Sequence, residues 1–232
     1  MDRRKFTCRA VACIGWGYAS GSPAWALSLA DLTDADAGAG LRTALERGAL
    51  TAVKLLGRTD GFLGNPKVRI PLPGYLQDAA GILRTFGLSR RLDRLETAMN
   101  RAAEAAVPEA RALLVSAVQS MSVADAKQIL RGGDTSVTEF FSHRTRDPLA
   151  EKFLPVVGRA TAKVGLARQY NDVVDRAGRF GIVDAQTSRI EPYVTAKALD
   201  GLFFMIGEEE KKIRRDPVGT GSAILRKVFG AL

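Results

Sequence analysis

Apolar residues return at three- and four-residue intervals through nearly the whole chain, and that single period excludes most architectures open to a polypeptide of 232 residues. In an α-helix such spacing gathers side chains on one face, whereas a half-buried strand needs strict alternation. Over residues 41–56 the stripe is Leu41, Ala44, Leu45, Ala49, Ala52, Val53 and Leu56, with Gly57 as its stop. A second helix is expected over 74–86, with Leu76, Ala79, Ala80 and Leu83 inward and Gly87 as terminator. Ser89 can cap a third, whose stripe is Leu92, Leu95, Met99, Ala103 and Ala106. Pro108 then breaks that helix or starts the next, over 110–121. Ser122 with Asp125 reads as a variant capping box opening a helix that ends at Gly132 and Gly133. Asp134 or Thr135 can cap a helix holding Val137, Phe140 and Phe141. Asp147 with Pro148 reads as a cap and first-turn pair opening another, through Phe153, Val156, Val157 and Val164, with Pro155 as a kink. Helices over 168–179, 189–215 and 221–229 complete the chain. The expectation is an all-α, single-domain bundle of about eight to ten helices, without internal repeats or sustained heptads.

One stretch breaks the period: "GRTDGFLGNPKVRIPLPGYL", residues 57–76. Asp60 with Gly61 and Asn65 before Pro66 favour turns, and Pro71 and Pro73 hold the backbone extended. Val68, Ile70 and Leu72 alternate with outward positions as a strand would. Prolines lower the entropy lost on ordering, so this segment can be rigid without being helical. Long ordered loops in compact domains are often functional. Arg69 can therefore present its guanidinium to a carboxylate or phosphate at a pocket rim. Alternatively, Phe62, Val68, Ile70 and Leu72 plug one end of the bundle while Arg69 pairs with an internal acid.

The first 26 residues, "MDRRKFTCRAVACIGWGYASGSPAWA", join a basic start, a modestly apolar middle and a small-x-small ending at Ala24 and Ala26. That is the layout of a cleaved export signal, and the paired Arg3 and Arg4 resemble the twin-arginine type. The apolar middle is too short to span a bilayer. Residues 10–12 make a poor lipidation box before Cys13. Cleavage after Ala26 leaves 206 residues, enough to bury roughly 70% of the unfolded chain's surface in one core. Both cysteines and both tryptophans lie in the removed part. The remainder then has no disulfide and no thiolate chemistry. Losing four basic residues and one acidic lowers the formal net charge from +9 to +6. For a periplasmic protein, that surplus faces anionic headgroups or envelope polymers, or serves solubility, and nucleic acid is not expected as a partner.

Three segments carry a family likeness: "DGFLGNPKVRIPLP" at 60–73, "LETAMNRAAEAAVPEA" at 95–110 and "YVTAKALDGLFFMIGEEEKKIRRDP" at 193–217. In this order they resemble an exported bacterial family known only as domain of unknown function 4197. The resemblance implies an all-α, envelope-associated protein and supplies no catalytic residue.

Several polar positions remain as candidates for a site. Asn65 and Arg69 lie in the loop, and Glu96 and Asn100, four apart, flank the third helix's stripe, while Arg101 and Glu104 are expected to point further away. Such a pair can bind a polar ligand or satisfy a buried backbone group. In "ALDGLFFMIGEEEKKIRRDP", residues 198–217, Leu199, Leu202, Phe203, Ile206 and Ile213 form an inner stripe, with Gly201 and Gly207 expected to let another helix approach closely. Glu208 with Lys212 and Glu210 with Arg214 have the spacing of helix-surface ion pairs. Lys211, Arg214 and Arg215 form either a solvated face or an anion patch. Lys197 and Asp200 would be an acid–base pair only if buried. His143, four residues after Glu139, supplies at most two ligands, so no metal site is expected, and His143 belongs on the surface. No phosphate loop, dinucleotide fingerprint or nucleophile triad is present, and no cofactor is expected.

The expected role is that of a monomeric or weakly oligomeric binding or scaffold protein of the cell envelope, with its ligand between helices beside the 60–73 loop. Its partner would be a small molecule or an envelope component. One rival is a hydrolase using Glu96, Glu104, Asp200 or Glu208, with two carboxylates converging at roughly 5 to 10 Å. Another is a structural partner of an envelope protein, docking through an exposed apolar patch.

Overall fold

A computed structural model describes residues 34–181, 184 and 188–216. The expected export signal at 1–26 and the closing helix at 221–229 lie outside the described residues. The described chain holds eight α-helices: α1 (Asp34–Leu56), α2 (Gly74–Thr85), α3 (Ser89–Ala106), α4 (Ala110–Gln119), α5 (Val123–Arg131), α6 (Ser136–Thr161), α7 (Gly165–Arg179) and α8 (Ile190–Arg215). No strand occurs among the described residues. A 3-10 turn at Val107–Glu109 carries Pro108 and links α3 directly to α4. No described helix is long and apolar enough to cross a membrane.

α8 runs through the middle of the bundle, against α6, α1 and α3. Ile190, Val194, Ala198, Leu199, Leu202, Phe203 and Ile206 are buried along it, which matches its expected apolar stripe except at Ile213, which is half-buried. Gly207 gives the close approach expected of it, since a Cβ there would stand 2.9 Å from Thr138 Oγ1 of α6. Gly201 departs from that expectation, since what it admits is not a helix but the loop side chain Phe62, whose Cε1 would lie 2.7 Å from an added Cβ.

The largest departure from expectation is α6, which continues from Ser136 through both Pro148 and Pro155 to Thr161. Asp147 and Pro148 therefore do not open a separate helix. Each proline costs a backbone hydrogen bond. Opposing that cost is a row of residues spaced four apart, Val137, Phe141, Thr145, Leu149, Phe153, Val157 and Thr161, all buried. Such a row forms one ridge that seats in the grooves of neighbouring helices, here α8, α3 and α4. The two buried threonines donate to carbonyls one turn back, Thr145 to Phe141 at 2.6 Å and Thr161 to Val157 at 3.0 Å.

Helix ends were partly foreseen. Ser122 and Asp125 form the full reciprocal box, with Asp125 N donating to Ser122 Oγ at 3.1 Å and Ser122 N to Asp125 Oδ2 at 2.9 Å. α2 ends in a Schellman motif: Gly87 takes φ 76°, its N–H donates to Arg84 O, and Leu88 N donates to Leu83 O. Ser89 does not cap α3; Leu88 holds that position without a side-chain bond. Thr135 holds the cap position of α6, but its hydroxyl donates to Glu139 at 2.9 Å and accepts from no backbone amide of the helix start. The acceptor comes instead from α8, where Glu210 receives Val137 N at 3.2 Å and Thr138 N at 3.4 Å.

Candidate functional site

The segment between α1 and α2 is an ordered loop that closes one side of the bundle. It begins with tight turns: Gly61 N donates to Arg58 O, Gly64 N to Asp60 O and Asn65 N to Phe62 O. Asp60 sits at φ 63°, a conformation that aspartate tolerates better than most residues. Asn65 then organises the next turn, its side-chain oxygen accepting Lys67 N at 3.1 Å and its carbonyl accepting Val68 N and Arg69 N. Beyond it Val68, Ile70 and Leu72 point into the core, while Arg69 and Pro71 face out. Phe62, Val68, Ile70 and Leu72 thus plug the bundle as foreseen.

Side chains from α3 and α8 strap this loop down. Asn100, fully buried, grips Ile70 on both backbone groups, accepting its N–H at 2.8 Å and donating to its carbonyl at 2.9 Å. Glu104 Oε1 accepts Phe62 N at 3.1 Å and Leu63 N at 3.2 Å. Its other oxygen takes Arg101 at 2.6 Å, and Arg101 reaches on to Asp60 at 2.7 Å. Glu104 is therefore an inward residue, contrary to the expectation that it points away. Its position was readable, since Glu96, Asn100 and Glu104 repeat at four-residue steps along one flank of α3. Glu96 completes the row by pairing with Arg69 at 2.9 Å. From α8, Glu208 takes Lys67 at 2.7 Å, and Tyr193 Oη donates to Pro71 O at 3.1 Å.

Beside the strapped loop lies a groove of about 330 Å³, with Lys67, Arg69 and Pro71 on one wall and Lys197, Asp200 and Phe204 on the other. Three residues singled out from sequence, Arg69, Lys197 and Asp200, meet here. Asn65, Glu96 and Asn100 do not line it; they hold its loop wall in place. Lys67 and Phe204 were missed, because only the fold sets Phe204 against the loop. On α8, residues 197, 201 and 204 share a face, and Gly201 between them lets the loop approach.

The groove's charges are unevenly committed. Asp200 accepts both terminal nitrogens of Arg146 at 3.0 Å, while Lys197 Nζ stands 3.9 Å away, beyond hydrogen-bond reach. Both residues are about half exposed, so they are not the buried acid–base pair considered above. Phe204 is 41% exposed, in contrast to the buried Phe203 beside it. The Lys67 ammonium lies 5.9 Å from the Phe204 ring centroid. Its bond to Glu208, reinforced by Lys211, holds the Glu208 carboxyl below its usual range. Burial raises the Tyr193 hydroxyl above its usual value, so it remains a donor to Pro71 through neutral pH.

Other expected positions lie apart. Arg214 does not join an exposed anion patch: its Nη2 donates to Glu210 at 2.9 Å, Ser136 Oγ at 2.8 Å and the Ile129 carbonyl at 3.1 Å. Desolvation lifts the Glu210 carboxyl above its usual value, although Arg214 and the Val137 and Thr138 amides pull it down. Lys211 lies 3.4 Å from Glu208, and Arg215 is exposed. Lys212 pairs with Glu209 at 2.6 Å, whereas the sequence spacing matched it to Glu208. Glu96, Glu104, Asp200 and Glu208 each have a basic partner. His143 is exposed and lines a cavity of about 420 Å³ with Glu139, Asp125 and Arg144. Among the described residues no three His, Cys, Asp or Glu side chains converge as a metal would require.

The loop, α3 and α8 are also the three segments that carried the family likeness. No curated protein and no solved structure matches the chain. A family model described as "Protein of unknown function (DUF4197)" matches residues 31–230, covering every described helix. The chain therefore belongs to the DUF4197 family.

Proposed function

We propose that this is an exported binding protein of the cell envelope, whose recognition site is the groove between the strapped loop and α8. The signal-like first 26 residues support the location. The observation that carries the binding reading is the arrangement on α8: Lys197, an ammonium outside hydrogen-bond reach of its nearest acid, beside the exposed ring of Phe204. A ligand bearing one anionic group and a flat apolar part fits both. Because hydrogen bonds already hold the loop, binding would cost little additional ordering, which favours affinity in a small groove.

The test is native mass spectrometry of the protein released gently from the periplasm, followed by thermal-shift titration with any small molecule found. The reading expects a mature chain lacking tryptophan and carrying a bound mass. It also expects Lys197→Gln and Phe204→Ala each to weaken binding about tenfold while leaving the fold intact, because both side chains are at least 40% exposed. An unprocessed chain in the cytosol would contradict the location. A bound species whose affinity ignores both substitutions would contradict the site.

A further inference from the structure

A second concave surface differs from the groove in its charge. Where the first half of α3 faces the start of α7, a cavity of about 580 Å³ is lined by Arg91, Arg94, Lys163, Val164, Leu166 and Gln169, together with Gly165. Among the described residues no carboxylate lines it. In the groove beside the loop every cation stands within 4 Å of an acid: Lys67 with Glu208, Arg69 with Glu96, Lys197 with Asp200. Here no ion-pair partner among the described residues serves Arg91, Arg94 or Lys163. Three like charges converging on a concavity focus a positive potential there.

We propose that the cavity between α3 and α7 binds a phosphate ester, with Arg91, Arg94 and Lys163 holding the phosphate. Arg94 donates its Nε to the Arg90 carbonyl at 3.1 Å, which fixes the stem and leaves both terminal nitrogens for a forked acceptor. Two guanidinium forks and an ammonium suit a dianion with three free oxygens better than a single carboxylate. The volume exceeds what a bare phosphate fills, and Val164 and Leu166 offer an apolar wall to the organic part of an ester. Gly165 leaves the approach to the first turn of α7 open, since a Cβ there would meet nothing within 4 Å. The partial positive charge of that turn adds to the side-chain charges. The same phosphate chemistry can come from a soluble metabolite or a lipid headgroup.

The experiment titrates the whole chain at low salt with inorganic phosphate, glycerol phosphate and, in a separate arm, vesicles of phosphatidylcholine with or without phosphatidic acid, whose headgroup is itself a phosphate monoester. Glycerol phosphate is expected to bind, to weaken as salt rises, and to weaken at least about tenfold in Arg91→Gln/Arg94→Gln, the loss that follows from removing charge-assisted hydrogen bonds. Gly165→Asp separates binding from folding. The new carboxylate meets open space and favours the start of a helix, so melting temperature holds or rises while phosphate affinity falls. Lys152→Gln, exposed on α6 and outside the cavity, is expected to bind normally. Sedimentation with vesicles containing phosphatidic acid, but not with phosphatidylcholine alone, that is lost in the double variant assigns the phosphate to a lipid headgroup. Binding of the soluble ester without vesicle binding assigns it to a metabolite. Absence of binding by every phosphate probe at low salt overturns the proposal, as does affinity unchanged in both the double variant and Gly165→Asp. Among the described residues the cavity and the groove share no lining residue, so failure of either reading leaves the other standing.

Discussion

Asn100 shows how much structure one side chain can determine. It sits on the flank of an apolar stripe, fully buried, and its amide fits the backbone of Ile70 on both sides. Replacing it removes the partners of a buried N–H and a buried carbonyl, and unmet buried groups cost about 1–3 kcal/mol. Asn100→Ala is therefore expected to lower stability by about 2–3 kcal/mol in urea unfolding, with some of the loss appearing as local opening of the loop. Gly201 is the complementary case, where the absence of a side chain is what matters. A methyl group there would stand 2.7 Å from Phe62 Cε1 and 3.3 Å from Val68 Cβ, both anchored in the core. Gly201→Ala should cost about 1–3 kcal/mol by overpacking, read as a lower melting temperature. Sequence alone identified Gly201 as a point of close approach. It suggested a helix as the neighbour, where the structure has the loop, because a glycine records only that something is near.

At the scale of elements, the reciprocal capping of α5 gives a pH-dependent prediction. The backbone and hydroxyl of Ser122, helped by Arg144, hold the Asp125 carboxyl below its ordinary value of 3.8. A depressed folded-state value means the contribution is complete above the unfolded value and is lost as pH falls through the lower, folded one. Ser122→Ala should lower stability by about 1 kcal/mol at neutral pH and make the decline below pH 3.8 shallower than in the parent, as followed by acid titration of circular dichroism. This cap was legible because both partners lie within four residues. The cap of α6 was not, since Glu210 reaches it from 73 residues away. The same limit explains the error at Pro148. Local rules read Asp-Pro as a helix start, but the decisive quantity was the four-spaced ridge of α6, whose worth depends on the helices it packs against.

For the whole molecule, the helical class and the plug formed by the loop followed from periodicity and turn chemistry. The groove followed only in part. Arg69, Lys197 and Asp200 were visible as polar residues near apolar stripes, but their meeting depends on how the 57–73 loop folds back over α8. Glu104 was misplaced for lack of one further four-residue step along α3. The molecule that results is a helical bundle with one non-helical wall, and that wall takes its order from α3 and α8.

Amide hydrogen exchange at Phe62, Leu63 and Ile70 measures that dependence most directly. The Ile70 N–H donates to Asn100 and the other two to Glu104, so all three should exchange as slowly as core amides of α8, and Ile70 should become fast in Asn100→Ala. Rapid exchange at all three positions in the unaltered protein would contradict a preordered loop, and with it the groove that the loop is held to form.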